Sequence, residues 1–256
     1  MRELTAEIIE NSQIARDIFL LRVRMPEDFN QEVKPGQFAH IKVPGDKLLR
    51  RPISINDYYA SERIMSFVYQ IKGEGTIALS RAQAQSDINL LVPLGNGFPE
   101  AKGRILLAGA GIGCAPLLYA AKCCGGDCGA ALAFRSAEYA YELEKFDSYV
   151  SKLYTATDDG SLGDKCYAHE LVEKALDEGD YDAVYACGPE RALALIRDVC
   201  AQKGVNCYLS LEARMGCGMG ACMVCNVKIG SREEWHYKRC CKDGPVFDGR
   251  EVLFDD

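Results

Sequence analysis

Five cysteines stand within 25 residues near the C-terminal end of the sequence, and three of them share one short loop. Cys217, Cys222 and Cys225 follow the spacing C-x4-C-x2-C, and Cys240 and Cys241 come next. Four thiolates in this order are typical of a [2Fe–2S] centre, in which each iron takes two cysteines besides the bridging sulfides. Successive residues of an extended chain point in opposite directions, so only one of the last two cysteines is expected to reach the iron.

Glycines around these cysteines strengthen the iron–sulfur interpretation. Gly216, Gly218 and Gly220 lack a Cβ atom, so the backbone can curl round a cluster and point N–H groups at its anionic sulfurs. Zinc also binds four thiolates, but zinc sites usually pair two short arms of two cysteines each. Three cysteines in one glycine-rich loop, with a fourth standing apart, favour the [2Fe–2S] cluster, and zinc remains the alternative.

A glycine-rich turn in the middle of the chain suggests a site for a nucleotide. Residues 105–116 read as a strand, a turn containing Gly109, Gly111 and Gly113, and the start of a helix. Such a turn presents free N–H groups and the positive end of a helix to a phosphate. Cys114 occupies the last glycine position of G-x-G-x-x-G, so the dinucleotide motif is incomplete and an ordinary tight turn explains the loop nearly as well.

Further positions would complete an NAD site. Cys187 and Gly188 follow a buried strand and open the next helix, at the carboxyl end of a parallel sheet where ligands bind, although a simple strand-to-helix turn explains them equally well. Asp158 and Asp159 would repel the 2′-phosphate of NADP, which favours NAD. Arg135 would instead favour NADP, as would the serine that follows it.

Cations and hydroxyls in the N-terminal part could bind a second phosphate-containing group. Arg51 could hold a phosphate and Ser54 could hydrogen-bond the edge of a flavin ring, since both lie on a short predicted strand. Gly75 and Thr76 precede a helical run at residues 77–82 and could form a phosphate-binding helix start. Each of these alone is an ordinary surface feature, but they occur together, ahead of a nucleotide domain and a cysteine cluster.

Three parts of the chain differ in the pattern of their apolar and polar residues. Residues 1–99 alternate apolar and polar side chains between turns, which predicts a small β-barrel or sandwich. Residues 100–210 alternate short buried strands with helical patterns, which predicts a parallel sheet with crossover helices. Residues 211–256 are rich in glycine and cysteine. Predicted strands lie at residues 18–25, 37–43, 63–72, 87–92, 104–108, 130–135, 153–156, 183–186, 206–210 and 224–229, and predicted helices at 116–123, 139–150, 168–177 and 190–203.

Composition and charge exclude several classes of protein. The net charge of −7, without a clustered basic stripe, argues against a nucleic-acid-binding surface. No stretch approaches the roughly 20 apolar residues of a membrane span, and the first residues lack the pattern of a signal peptide. A soluble cytoplasmic protein is therefore expected.

His40, His169 and His236 form no motif and are expected at the surface or at helix caps. The remaining eight cysteines are expected to be small buried hydrophobes or unreactive thiols.

The whole chain resembles the electron transfer subunit of the NAD-dependent type of dihydroorotate dehydrogenase. The last two of the matching segments are the most specific to that family. The segments are RPIS at 51–54, GT at 75–76, PLGNGF at 93–98, residues 109–117, TDDG at 157–160, CGP at 187–189, LEARMGC at 211–217 and DGPVF at 243–247.

This resemblance implies a multidomain ferredoxin-reductase-like fold: an FAD-binding β-barrel, a Rossmann-like NAD domain and a small [2Fe–2S] domain. It also implies a partner, the FMN-containing catalytic subunit that oxidises dihydroorotate to orotate in pyrimidine biosynthesis, in a heterotetramer of two chains of each kind. Electrons would pass from FMN through the cluster and FAD to NAD⁺. By position, the FAD ligands would be Arg51, Pro52, Ile53, Ser54, Val68, Tyr69, Gln70, Gly75 and Thr76. The family's last cluster cysteine precedes x-Asp-Gly-Pro-Val-Phe, which selects Cys241.

Three departures from the family pattern bear on these expectations. Gln70 stands where relatives often have arginine, which would remove one cation near the FAD phosphates. Ala110 and Cys114 alter the nucleotide loop, and Cys240 is an extra thiol that could replace Cys241.

Two other functions remain open. Related subunits of a hydrogenase or a ferredoxin–NADP reductase share the flavin and nucleotide motifs, although the DGPVF segment favours the dihydroorotate dehydrogenase type. Outside redox chemistry, the alternative is a zinc-stabilised nucleotide-binding module without enzymatic activity.

Overall fold

The computed structural model describes residues 1–45, 47–100 and 102–254. Within these ranges the strands are β1 Arg2–Ala15, β2 Ile18–Arg24, β3 Phe38–Ile41, β4 Arg51–Tyr59, β5 Ile64–Gln70, β6 Asp87–Leu94, β7 Ile105–Ala110, β8 Cys128–Phe134, β9 Lys152–Thr157, β10 Asp164–Lys165, β11 Ala183–Cys187, β12 Asn206–Ser210, β13 Asn226–Gly230, β14 Trp235–Arg239, β15 Val246–Asp248 and β16 Val252–Leu253. The helices are α1 Glu74–Ser80, α2 Ala115–Cys123, α3 Leu143–Tyr149, α4 Ala168–Glu178 and α5 Glu190–Lys203, with short 3₁₀ helices at Gly111–Cys114 and Ala137–Tyr139.

The first six strands close into a barrel in the order β1-β2-β5-β4-β3-β6, and each pair is antiparallel. In β1, Leu4, Ala6 and Ile8 point into the barrel and the residues between them are exposed. The strands predicted from the sequence begin at residue 18 and omit β1, although its alternation has the two-residue period of a half-buried strand. The all-β prediction for this part is confirmed.

Seven strands form the second sheet, in the order β10-β9-β8-β7-β11-β12-β15. The first six are parallel to their neighbours, as the alternation of strands and helices predicts. The order reverses at β7, which has β8 on one side and β11 on the other. The loops that follow β7 and β11 therefore face each other at the carboxyl edge of the sheet, the usual position of a ligand crevice.

One predicted helix is wrong in its extent. The pattern at residues 139–150 predicts a continuous helix, but α3 covers only Leu143–Tyr149. Glu142 has a φ of 54°, in the left-handed region, and cannot lie inside a right-handed helix. Its carboxylate accepts a hydrogen bond at 2.8 Å from Asn56 of the barrel, so a tertiary contact accompanies this break.

The C-terminal part contacts both larger parts. Strands β13, β14 and β16 form a three-stranded antiparallel sheet, whereas β15 pairs antiparallel with β12 at the edge of the α/β sheet. Asn96 of the barrel donates side-chain hydrogen bonds to the carbonyls of Lys242 and Asp243 at 3.2 and 3.1 Å. The turn at residues 240–244, which carries Cys241, is thus held between the barrel and the α/β sheet. Within the ranges described, no helix is long and apolar enough to span a bilayer.

Candidate functional site

The loop at residues 217–225, called the cysteine loop here, directs backbone N–H groups at sulfur. The N–H groups of Met219, Ala221 and Cys222 donate to Cys217 Sγ at 3.4, 3.3 and 3.4 Å. The Cys217 N–H donates in turn to Cys222 Sγ at 3.4 Å. Two glycines in the left-handed region allow this tight turn, which is the conformation that the glycine-rich sequence predicts.

These hydrogen bonds favour the thiolate form of Cys217. Burial would raise the pKa of its thiol, but the donated N–H groups outweigh burial and lower the pKa to about 6. At Cys241 the direction is opposite, because burial and the neighbouring Cys225 thiol raise the pKa to about 12. Metal binding requires the thiolate and releases the proton, so the metal itself would supply the charge that ionises Cys241.

The four predicted ligands form two pairs. Cys217 and Cys222 share the N–H···S bonds given above, and the Cys241 N–H donates to Cys225 Sγ at 3.4 Å. In the part of the chain that the structure describes, no group of three or more His, Cys, Asp or Glu side chains is placed to hold one metal ion. Two pairs match a cluster of two irons, each of which takes two cysteines.

Cys240 and Cys241 have different surroundings. Cys240 is fully buried, and its thiol donates to the Leu211 carbonyl at 3.2 Å. Cys241 instead lies beside Cys225, with which its thiol interacts. The structure therefore brings Cys241 to the other three cysteines of the predicted set and gives Cys240 a different partner.

Arg239 connects the cysteine loop to the turn that carries Cys241. Its Nε and its backbone N–H both donate to Asp243 Oδ2, at 3.0 and 2.8 Å, and its Nη1 donates to the Gly220 carbonyl at 3.0 Å. The hydrogen-bonded ion pair raises the pKa of Arg239 and lowers that of Asp243. The sequence analysis does not single out Arg239, because an arginine four residues before an aspartate is common on any surface.

A cavity of about 810 Å³ lies between the barrel, the α/β sheet and residues 211–215, which lead into the cysteine loop. Its size is within the range of ligand-binding pockets. The predicted cofactor residues on its wall are Arg51, Pro52, Ile53, Ser54, Val68, Tyr69, Gln70, Thr76, Gly113 and Cys187.

Arg51 brings a cation to the wall of this cavity, next to the first turn of α1. The Arg51 guanidinium lies against Gly75 so closely that a Cβ atom there would overlap it. Helix α1 begins at Glu74, so Gly75 and Thr76 lie in its first turn and not ahead of the helix as predicted. The Thr76 hydroxyl accepts the Lys72 N–H at 2.9 Å and therefore also caps this turn. An arginine beside a glycine without a side chain suits a phosphate group.

The barrel wall of the cavity includes both apolar and polar side chains. Val68 and Tyr69 are 2% and 1% exposed, and the Tyr69 hydroxyl donates a hydrogen bond to Asn11 Oδ1 at 2.9 Å. Burial raises the pKa of Tyr69, so the ring is neutral. Ser54 and Gln70 are only partly buried and offer polar groups to the same space. A flat aromatic group with a polar edge fits such a surface.

Several residues on the cavity wall were given no site role from the sequence, and four of them with polar side chains or small size lie at one place. Ser210, Glu212, Ala213 and Arg214 end or follow β12 at the carboxyl edge of the sheet. The topology is the signal that could have found them, because ligands bind at this edge in parallel sheets. Burial raises the pKa of Cys187 in the same wall to about 12, and the nearby Glu212 carboxylate adds to the rise, so Cys187 is a neutral thiol.

Two loops of the predicted nucleotide site pack directly on each other. A Cβ atom on Gly113 would overlap the carbonyl of Cys187, and one on Gly188 would lie 2.8 Å from the Cβ of Ala110. Glycine is therefore needed at both positions so that the loops after β7 and β11 can meet.

Gly109 and Gly111, the other two glycines of the predicted nucleotide turn, differ from Gly113. A Cβ atom on Gly109 would lie 2.6 Å from Cys114 Sγ, so Gly109 is a packing position. Gly111 has a φ of 57° and open space where its side chain would be. Of the three predicted glycines, only Gly111 leaves its surroundings free for a phosphate.

Asp158 lies away from the main cavity, in a polar cavity of about 450 Å³ that also contains Asp159, Arg135 and Ser136. These residues follow β8 and β9, at the same edge of the sheet as the glycine loop. Burial raises the pKa of Asp158, and the adjacent Asp159 carboxylate adds to this effect. Of the predicted NAD residues, Gly113 and Cys187 thus line the main cavity, Asp158 lines the polar one, and Gly188 lines a third cavity of about 670 Å³.

The expectation that His40 lies at the surface is wrong. His40 is 1% exposed on β3, and a Cβ atom on Gly218 of the cysteine loop would lie 2.5 Å from its Nδ1. Burial lowers the pKa of His40 to about 4, and the positive charge of Arg50 adds to the effect, so the ring is neutral. His236 is exposed as expected.

Comparison with known proteins gives a consistent family. The sequence model for the iron–sulfur cluster binding domain of dihydroorotate dehydrogenase B matches residues 212–253. The electron transfer subunit of NAD⁺-dependent dihydroorotate dehydrogenase B from Caldanaerobacter subterraneus is 36% identical over 98% of this chain and 99% of its own length. The subunit of the same name from Streptococcus mutans is 38% identical over 97% of both chains.

Solved structures support the same fold. A chain from the NADH-dependent reduced ferredoxin–NADP oxidoreductase superposes with a TM-score of 0.86 at 30% identity, over 97% of this chain and 89% of that one. The ferredoxin reductase of carbazole 1,9a-dioxygenase, at 20% identity and a TM-score of 0.69 over 80% of this chain and 66% of its own, shares the fold alone. The ferredoxin-reductase-like architecture expected from the resemblance is confirmed. The chain belongs to the family of electron transfer subunits of NAD-dependent dihydroorotate dehydrogenase B.

Proposed function

We propose that this chain is an oxidoreductase subunit that carries electrons from a dihydroorotate-oxidising partner to NAD⁺, through a [2Fe–2S] cluster and an FAD that it binds itself. The observation that carries the proposal is the connection between the two sites. Residues 211–215 line the large cavity, and Cys217, the first cysteine of the paired loop, follows two residues later. Residues 211–217 thus connect the cavity proposed for FAD to the cysteines proposed to bind the cluster.

In this proposal Cys217 and Cys222 hold one iron, and Cys225 and Cys241 hold the other. The N–H groups that donate to Cys217 and Cys225 in the structure would stabilise the negative charge on the cluster's sulfurs. Cys240 stays outside the ligand set, because its thiol donates to a carbonyl in the protein interior.

FAD would occupy the cavity of about 810 Å³. Arg51, with Gly75 and Thr76 beside it, would bind the phosphates. The residues that would surround the flavin are Pro52, Ile53, Ser54, Val68, Tyr69 and Gln70. When bound, FAD exchanges a hydride with NAD and single electrons with an iron–sulfur cluster. The chain's own residues orient and shield the flavin, and none of them needs to act as a general acid or base.

NAD would lie along the carboxyl edge of the α/β sheet. Gly111 would approach a phosphate with its backbone, while Gly109 and Gly113 keep the loop compact. Cys187 and Gly188 would border the nicotinamide end next to the flavin cavity, and Asp158 would accept a hydrogen bond from the adenosine ribose.

The partner is proposed to be the FMN-containing catalytic chain, with two copies of each subunit in the complex. We also propose a cytoplasmic location, since a reducing compartment keeps cysteines available as thiolate ligands and as buried thiols. The proposed domain boundaries are 1–99, 100–210 and 211–256, with β15 of the third domain extending the sheet of the second.

A second candidate comes from the 30% identity to a chain of the ferredoxin–NADP oxidoreductase over almost the whole sequence. In that function the chain would exchange electrons with ferredoxin and NADP. Arg135 and Ser136 in the smaller polar cavity are the residues that favour a 2′-phosphate. The two carboxylates in that cavity oppose it, so the NAD-linked function is preferred.

Co-purification with a dihydroorotate-oxidising chain tests the proposal. We expect equal amounts of iron and acid-labile sulfide, one FAD per chain, and NAD⁺ reduction that depends on dihydroorotate. Reduction of NADP⁺ driven by reduced ferredoxin, without any response to dihydroorotate, would establish the second candidate. Zinc in place of iron and sulfide would refute both.

A further inference from the structure

We propose that His40 is a positioning residue for the cysteine loop, which it holds through a hydrogen bond to the Cys217–Gly218 segment that is completed when the loop carries its cluster. The inference rests on the proposed function, because it assumes that the loop binds a [2Fe–2S] cluster. It adds to the cluster site a side chain from the barrel, a part of the molecule that supplies none of the cysteines.

The first observation is an unsatisfied polar side chain in the interior. His40 is 1% exposed, and neither Nδ1 nor Nε2 has a hydrogen-bond partner. A neutral imidazole has one N–H donor and one acceptor nitrogen. Buried polar groups without any partner are rare in folded proteins, and each requires a physical explanation.

The second observation is what surrounds the ring. On the barrel side, His40 is paired with Pro52 of β4 and Leu91 of β6, neither of which has a polar side chain. On the other side lies the cysteine loop, close enough that a Cβ atom on Gly218 would be 2.5 Å from Nδ1. The backbone carbonyls of Cys217, in the cysteine loop, and of Arg50, just before β4, are both near enough to stabilise an N–H on the ring. Of these two acceptors, the Cys217 carbonyl is the one through which His40 can hold the cysteine loop.

His40 also lies next to the strand that lines the proposed FAD cavity. Its strand neighbour β4 carries residues 51–54, which line the proposed FAD cavity. A hydrogen bond from His40 would thus fix the cysteine loop relative to the strand that binds the flavin. Hydrogen bonds near cluster sulfurs also stabilise the more negative reduced state, and their number is one determinant of the reduction potential.

The experiment compares three variants of the complete, cluster-containing chain. His40→Leu removes the donor at similar volume, His40→Asn keeps an N–H close to the position of Nδ1, and His236→Leu is the control at an exposed histidine of the cysteine-rich part. The readouts are iron and sulfide content, the EPR spectrum after dithionite reduction and the midpoint potential of the cluster. NADH-driven ferricyanide reduction reports on the FAD site independently.

We expect His40→Leu to shift the potential to more negative values and to change the EPR g-values, with flavin-dependent ferricyanide reduction retained. His40→Asn should restore both properties toward the wild type, and His236→Leu should leave them unchanged. A His40→Leu protein with full iron and the wild-type spectrum and potential would overturn the inference. If His40→Leu cannot hold iron, His40→Asn decides: retained iron supports the hydrogen bond, and equal loss refutes it. Wild-type protein without iron and sulfide would instead refute the proposed function.

Discussion

Asn96 of the barrel donates a side-chain hydrogen bond to the carbonyl oxygen of Asp243, two residues beyond Cys241, at 3.1 Å. The same side chain donates to the Lys242 carbonyl at 3.2 Å, and the Asn96 backbone N–H donates to the Gly244 carbonyl at 2.6 Å. Two segments that are 146 or more residues apart in sequence are therefore joined at the turn that carries the proposed fourth ligand.

Replacing Asn96 by alanine should loosen this turn without affecting the FAD site. Two side-chain hydrogen bonds are lost, and a single such bond contributes about 1 kcal/mol. We expect unfolding at lower denaturant concentration and faster loss of iron to a chelator such as bathophenanthroline. Asn206→Ala, at an exposed position at the start of β12, is the control and should release iron at the wild-type rate. Equal rates for the two variants would contradict the proposed role of the contact.

The adjacent cysteines 240 and 241 offer a matched pair of substitutions. Cys241→Ser should remove most of the iron, because a serine oxygen is a poor substitute for thiolate at a site paired with Cys225. Cys240→Ser should keep the cluster, because a hydroxyl can still donate to the Leu211 carbonyl. Iron, acid-labile sulfide and visible absorption measure both. Loss of the cluster in Cys240→Ser with retention in Cys241→Ser would reverse the ligand assignment.

The substitution Gly75→Ala should weaken FAD binding, because of the methyl group that it adds. It would overlap the Arg51 guanidinium and push this cation away from its position on the cavity wall. A hydrogen bond to a charged group contributes about 1.5–3 kcal/mol, which corresponds to roughly tenfold or more in affinity. Gly73→Ala is the matched control, since nothing lies within 4 Å of its added Cβ atom. Fluorescence titration of FAD into the deflavinated variants measures the affinity of each. Equal FAD affinities for Gly75→Ala and Gly73→Ala would disprove the role of Arg51.

The sequence predicts the parts of this structure that depend on local pattern. The cysteine spacing, the glycine-rich turn and the alternation of strands and helices each have a physical cause within a few residues, and these predictions agree with the architecture observed. Cys240 and Cys241 also have different partners, as predicted, although they lie in the turn after β14 and not in an extended chain.

What the sequence does not reveal depends on contacts between distant segments. The burial of His40 becomes visible only when the cysteine loop, almost 180 residues later, is placed against β3. The helix predicted at 139–150 is shortened where Glu142 accepts a hydrogen bond from Asn56. The site positions of Glu212 and Arg214 follow from the order of strands, which local patterns do not specify.

Gly113→Ala should separate the two nucleotide loops. The added Cβ atom would overlap the Cys187 carbonyl, and overpacking of this kind costs about 1–3 kcal/mol. Because Gly113 and Cys187 also line the flavin cavity, we expect slower reduction of FAD by NADH together with lower stability. Gly125→Ala is the control: it carries left-handed strain at a φ of 63° but meets no neighbouring atom. It should lose some stability and keep the wild-type rate of FAD reduction, and a similar rate in Gly113→Ala would contradict the prediction.

In protein freed of iron, Cys217 should be alkylated more readily than Cys241 at neutral pH. Its pKa of about 6 results from three donated N–H groups that outweigh burial, whereas burial raises that of Cys241 to about 12. Only the thiolate reacts with iodoacetamide, and the thiolate fraction grows as the pH rises through the pKa. The labelling rate at Cys217 should therefore increase between about pH 5 and pH 7 and then level off, while that of Cys241 should still be rising at pH 9. Peptide mass spectrometry resolves the two sites. A Cys217 rate that keeps increasing up to pH 9 would mean that the N–H groups do not stabilise its thiolate, and the loop would then lack the pre-formed sulfur environment on which cluster binding is proposed to depend.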